Sequence, residues 1–183
     1  PNTMPGQPDT FAAYGPAWAT VSNTPLRSTK LTAYEGGIRT PLVASWPVGI
    51  RDAGRLCHEV GHVIDILPTC LHLACADYPS EFNGRSPQPM EGQSLVPLFG
   101  GQGREGHALL AWSVPQNRAI RSDRWKLVGA AGRPWELYDL DADGTETRDL
   151  AAAEPERVRQ MAAAWEAWAE RCGVKAHREP RAN

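Results

Sequence analysis

Lys30 and Arg39 stand on either side of two adjacent glycines, Gly36 and Gly37, in a stretch reading Pro25-Leu26-Arg27, Lys30 and Tyr34-Glu35-Gly36-Gly37-Ile38-Arg39-Thr40-Pro41. A lysine ammonium is a compact point charge suited to an anion whose charge is spread over several oxygens. The glycine pair allows positive φ, so the chain can turn sharply and bring backbone close to a ligand. A basic loop hinged on glycine is a way to hold an anion-binding group. Arg39 has two readings, direct contact with that anion or structural pairing with a carboxylate, and the second is the expected one.

Three other groupings have the residue types of chemistry but lack its context. His58-Glu59-Val60-Gly61-His62 matches the pattern in which two histidines one helical turn apart bind zinc and the glutamate activates water. Such a motif needs a helix, whereas Gly61 weakens one, Pro68 interrupts it, and the continuation positions hold Asp65 and Pro68. A zinc peptidase is therefore the minor alternative, with two incidental histidines preferred. Cys57, Cys70, His72 and Cys75 could join these histidines in a structural zinc site, yet Cys70 and Cys75 would point about 140° apart on a helix. Buried free thiols are expected instead. Asp139, Asp141, Asp143 and Gly144 imitate the start of a calcium loop whose twelfth position is Leu150, not glutamate, so an acidic turn is expected.

The elements that must position these groups follow from periodicity and punctuation. Leu42 to Trp46, apolar and bounded by prolines, reads as a buried strand. Leu56 to Val60 reads as a short edge strand. A helix is expected from an Asp65 N-cap to about Ala76, with Ile66, Leu67, Cys70, Leu71 and Ala74 on its apolar face. Residues 77–105, rich in proline and glycine, read as a long connection. Strands are expected at His107–Ser113, Arg118–Arg121, Trp125–Ala130 and Trp135–Leu140, close enough for antiparallel hairpins. From Pro155 to Cys172, Val158, Met161, Trp165, Trp168 and Cys172 recur at steps of three and four, the signature of a helix packed on that sheet.

With 183 residues and 42% hydrophobic content the chain can bury a core. Its 19 basic and 21 acidic residues nearly cancel, so no field argues for nucleic acid or an anionic membrane. No apolar run approaches the roughly 18 residues of a membrane span, and Pro1 to Thr10 lack the basic and apolar regions of a signal peptide. A soluble protein of cytoplasm or periplasm is expected. Residue 1 is proline and the opening residues read like an interior loop, so the chain is expected to be a fragment or a truncated product.

The lysine-glycine segment resembles the region of arylsulfatases, in the alkaline phosphatase-like superfamily, that carries a sulfate-contacting lysine. The resemblance continues in order through Trp46-Pro47, Val63 to Thr69, Glu91 to Leu95, Asn117 to Arg121, Trp125 to Val128 and Leu137 to Leu140. It implies an α/β chain, the C-terminal part of a sulfatase fold. Residues 1–104 would end the large α/β domain, and residues 105–183 would form a small antiparallel sheet packed against a C-terminal helix. It assigns Lys30 to sulfate binding and implies a sulfate ester of a small molecule or a glycan as substrate.

The same resemblance implies a formylglycine nucleophile, made in a Cys/Ser-x-Pro/Ala-x-Arg motif, beside a calcium or magnesium ion. No cysteine or serine stands in that motif here, and no acidic pair matches the metal ligands. Nucleophile and metal site are expected in an N-terminal sulfatase region absent from this sequence, leaving the chain inactive alone. A non-catalytic sulfatase-like module is the second alternative. One departure stands out: many relatives have acidic and imidazole groups where this chain reads Trp112-Ser113-Val114-Pro115-Gln116-Asn117-Arg118.

Overall fold

A computed structural model describes residues 15–52, 54–115, 117–130 and 132–174. The chain groups into two units, one formed by Pro1–Pro41 with Leu109–Asn183 and the other by Leu42–Ala108. The sequence suggests a single cut after residue 104. The first of these units holds the lysine-glycine loop together with the C-terminal sheet, on which Ala33 and Tyr34 pack.

The first unit holds helix α1 (Gly15–Asn23), the short helix α2 (Glu35–Ile38), strands β1 (Leu110–Val114), β2 (Asn117–Ser122), β3 (Trp125–Ala130) and β4 (Glu136–Asp139), and helix α5 (Pro155–Arg171). The strands form one antiparallel sheet in the order β1-β2-β3-β4. Asp123 takes φ +53 in the two-residue turn between β2 and β3, which sets Ser122 opposite Trp125. β1 starts later than expected, at Leu110, and β4 spans Glu136–Asp139 within the expected range.

Both faces of the sheet are covered. On one, Ile120, Leu127 and Leu137 meet Met161, Trp165 and Ala169 of α5, and the Trp165 indole donates to the Trp112 carbonyl at 3.1 Å. Ala169, not Cys172, completes the buried stripe, because the helix ends there in a Schellman turn: Val174 N–H donates to the Ala169 carbonyl, and Gly173 takes φ +65. On the other face, Ala119, Val128 and Tyr138 pack against Ala33 and Tyr34 of the lysine-glycine loop. Burial on both sides explains why β3 is buried along most of its length, Lys126 included.

The second unit contains a 3₁₀ turn (Val63–Asp65), helix α3 (Ile66–Ala74) and helix α4 (Val96–Phe99). Several sequence expectations fail here. Leu42–Trp46 and Leu56–Val60 are not strands, since among the described residues neither has a strand to pair with, and Val43 is 89% exposed. The expected apolar face of α3 is turned outward, with Ile66 and Leu67 exposed and Pro68 and Thr69 buried. Cys57, Cys70, Cys75 and Cys172 are all exposed rather than buried.

Polar bonding sets that orientation. Asp65 does not cap α3 with its side chain. Its buried carboxylate accepts from the backbone N–H of His62 and Gln93 and from Arg104, and His107 Nε2 lies 2.7 Å from Oδ1. The Thr69 hydroxyl donates to the Asp65 carbonyl and accepts from Leu95 N–H, tying the 65–69 edge of the helix to residues 93–95.

Burial alone would push the Asp65 carboxyl up, but the hydrogen bonds from Gln93, His62 and Arg104 and the charge of His107 hold it below the usual range. The stabilisation from this lowered value is present above about pH 4 and is lost as pH falls through the lowered value. Hydrogen-exchange protection factors at His62 and Gln93 are expected to fall under acid. Asp65→Asn should lower them at neutral pH by about 1–3 kcal/mol and flatten their acid dependence. Unchanged protection would remove Asp65 from its place as the hub.

Candidate functional site

The segment from Asn23 to Thr40 winds tightly on itself. Gly36 N–H donates to the Arg27 carbonyl at 2.8 Å and Gly37 N–H to the Tyr34 carbonyl at 2.8 Å, while the Thr32 hydroxyl closes on the Thr29 carbonyl. Both glycines are required by close approach. A Cβ on Gly36 would lie 2.2 Å from the Ser28 carbonyl oxygen, and one on Gly37 would lie 2.2 Å from that of Thr32. Ser28 and Leu31 take φ +66 and +74, left-handed conformations that cost a side-chain-bearing residue roughly 1–2 kcal/mol each. Surrounding contacts hold the loop in that strained path.

The anchor is a cluster of three charges. Lys126 Nζ, fully buried, donates to Glu35 Oε1 at 2.8 Å and lies 2.7 Å from Glu146 Oε1, where the contact is an ion pair without hydrogen-bond alignment. Glu146 Oε2 accepts the Glu35 backbone N–H at 2.7 Å. Burial pushes the Glu146 carboxyl up, opposed by Lys126. Arg39, more than half exposed, reaches Glu35 Oε2 only at 4.0 Å, a weak structural pairing.

Beside this cluster, Arg27 lies 4.2 Å above the Tyr34 ring and donates to Glu136 at 2.8 Å, to the Tyr138 hydroxyl at 2.6 Å and to the Glu146 carbonyl at 3.3 Å. Tyr34 and Tyr138 also donate to Glu136. Burial pushes the Tyr34 hydroxyl up to about 12, aided by the Glu136 charge, and moves Tyr138 in the same direction. An open cleft of about 630 Å³ borders these groups. The Arg27 guanidinium is already neutralised inside it.

Lys30 differs from all of these. It is exposed, and among the described residues no carboxylate lies within ion-pairing distance of it. A positive charge is thus presented to solvent from a loop whose base is locked to the sheet.

The remaining candidates are dispersed. His58 and Glu59 lie exposed outside any helix, and His62 Nδ1 accepts Ile64 N–H within the 3₁₀ turn. His72 Nδ1 is 3.0 Å from Ser94 Oγ. Among the described residues no three His, Cys, Asp or Glu side chains are grouped as a metal site. The Asp143 carboxylate accepts from the hydroxyls of Thr145 and Thr147 and from the N–H of Thr147 and Arg148, the bonding of an acidic turn. Of the departure segment, Ser113 and Val114 end β1, and Gln116 lies outside the described residues. The metal and formylglycine centre that the resemblance implies has no match among the described residues, where no three His, Cys, Asp or Glu side chains are grouped as a metal site and no cysteine or serine stands in the formylglycine motif.

Sequence reasoning missed Lys126, Glu146, Asp65 and Arg27 as structural centres. One signal was present: Lys126 falls on the same strand face as Val128, and a lysine amid Trp125, Leu127 and Val128 must find buried counter-charge. Nothing in the sequence pointed to which carboxylates supply it.

Comparison with known proteins adds a consistent set of matches. A family described as N-sulphoglucosamine sulphohydrolase, C-terminal, matches residues 29–167. An uncharacterized sulfatase of Schizosaccharomyces pombe is 32% identical over 177 residues, covering 92% of this chain and 32% of that protein. A sulfatase of Formosa agariphila is 31% identical over 150 residues, 73% of this chain and 26% of its own length. Human N-acetylgalactosamine-6-sulfatase is 34% identical over 107 residues, 54% of this chain and 19% of its own. The crystal structure of Ps i-CgsB superposes with a TM-score of 0.64 at 24% identity, covering 79% of this chain and 32% of that one. The chain therefore spans a third or less of these relatives.

Proposed function

Because this chain belongs to the sulfatase family, in the C-terminal region described for N-sulphoglucosamine sulphohydrolase, we propose that it forms one wall of a sulfate-ester site, with Lys30 contacting the sulfate. One observation carries this reading: an exposed lysine without a carboxylate partner among the described residues tops a loop whose base is strained, glycine-dependent and anchored by buried charge. A sulfuryl group disperses negative charge over its oxygens, and cleavage of the ester puts further charge on the departing oxygen. A fixed ammonium stabilises both, and it does so best where its position is set before the reaction. The substrate class is a sulfate ester of a small molecule or a sulfated glycan. On this reading the nucleophile and metal ligands come from sulfatase sequence outside the matched span, which is 32% of the Schizosaccharomyces pombe relative's length.

The test is Lys30→Ala in a sulfatase completed with this region. Hydrolysis of 4-nitrocatechol sulfate is expected to fall by about two orders of magnitude or more, the usual cost of losing one charge-stabilising donor. Unfolding should shift by no more than about 0.5 kcal/mol, since the side chain is exposed and unpaired. An unchanged kcat/KM would remove Lys30 from the site.

A further inference from the structure

We propose that Lys126 and Glu146 are positioning residues for Lys30, holding the loop that presents it from beneath. The inference rests on the reading of Lys30 given above and extends it to groups that touch neither sulfate nor the reacting atoms. An ammonium on a long flexible stem contributes little if its backbone wanders, so its placement must come from the loop. That loop is bound twice through one residue. Glu35 donates its backbone N–H to Glu146 and accepts Lys126 on its side chain, so backbone and carboxylate are gripped by the same pair.

Glu146 is itself set in place. It takes φ +58, a conformation disfavoured for a residue with a side chain, and the turn around it is bound by the four hydrogen bonds that Asp143 accepts from residues 145–148. Lys126 is fixed within β3, opposite Tyr138 of β4. A rigid path thus runs from the sheet and the 143–148 turn through Glu35 to the loop.

Stability alone does not account for this arrangement. Two buried carboxylates share one ammonium, leaving a charge that burial penalises, and apolar residues of similar volume would commonly hold the core as well or better. The geometry makes sense if the cluster's task is to fix Glu35, and with it the loop, in one register.

The 183-residue chain tests this by hydrogen exchange and by NMR titration with inorganic sulfate at constant ionic strength. In Glu146→Gln, exchange at the Glu35, Gly36 and Gly37 amides should rise about tenfold while Ala119 and Val128 in the sheet keep their protection. The dissociation constant for sulfate, read at the Lys30 amide, should rise several-fold. Asp143→Ala loosens the turn presenting Glu146 without altering the buried charges, and should act in the same direction if Glu146→Gln fails to fold. Loop exchange unchanged in both variants would overturn the proposal. So would an equal rise in loop and sheet, which is the mark of a merely structural role. A wild-type chain without a sulfate response at Lys30 would sink the functional reading, and loop exchange would then decide by itself whether Glu146 is the clamp.

Discussion

Lys126→Met is expected to destabilise the protein by about 3–5 kcal/mol, the usual cost of removing one partner from a buried ion pair. At roughly 2–4 °C per kcal/mol for a chain of this size, the melting temperature should fall by about 6–20 °C. The loss has little to do with packing, because methionine fills most of the lysine stem's volume. It arises because Glu35 and Glu146, with relative exposures of 4% and 1%, are left facing each other with no buried counter-charge, only the largely exposed Arg39 at 4.0 Å from Glu35. A double variant, Lys126→Met with Glu146→Gln, should recover part of the stability by removing one buried charge.

The pH dependence follows from the sign of the Glu146 shift. Burial raises its carboxyl and Lys126 opposes that rise. A raised carboxyl contributes stability that is fully present below its ordinary range and lost as pH rises through the raised value. Without Lys126 the value climbs further, so the defect should be largest at neutral pH and shrink as pH falls towards about 4.5. Urea unfolding across that range measures it. A loss under about 1 kcal/mol at neutral pH would mean that the ammonium is not neutralising buried charge.

Gly36→Ala is expected to cost roughly 3 kcal/mol, at the upper end for overpacking, or about 6–12 °C in melting temperature. The added methyl would lie 2.2 Å from the Ser28 carbonyl oxygen and 2.5 Å from that of Arg27. Both obstacles are backbone, so no side-chain rotation relieves them. Retreat would break the Gly36 N–H bond to Arg27 at 2.8 Å and pull Glu35 from Lys126. Gly132, whose Cβ would meet open space, is the control for an added methyl without a clash, although its φ of +69 adds a smaller backbone strain. If Gly36→Ala proved no more damaging than Gly132→Ala, the close approach would not be needed.

Legibility in the sequence varied with how local the cause was. The β2–β3 turn and helix α5 were readable because turn residues and a three-four apolar spacing act within a few positions of themselves. Leu42–Trp46 misled for the opposite reason: apolar residues between prolines state a preference for burial, but a strand exists only where another chain segment completes its hydrogen bonds. The α3 face misled likewise, since Asp65 and Thr69 bonds to Gln93 and Leu95 outweighed the pattern of its leucines.

By itself the sequence determined the class of chain, through the ordered resemblance of its motifs, together with the antiparallel sheet and the candidacy of Lys30. It singled out Gly36 and Gly37 for the positive φ that glycine allows, whereas the fold requires them for close backbone approach and gives neither a positive φ. Tertiary structure decided which lysine is presented and which is buried. Lys30 and Lys126 are the same residue type, but Lys126 is matched by Glu35, 91 positions away, and Glu35 is in turn held by Glu146, 111 positions away. Burial of a charge depends on counter-charge brought within about 3 Å by folding, and that distance is set in space and not along the chain.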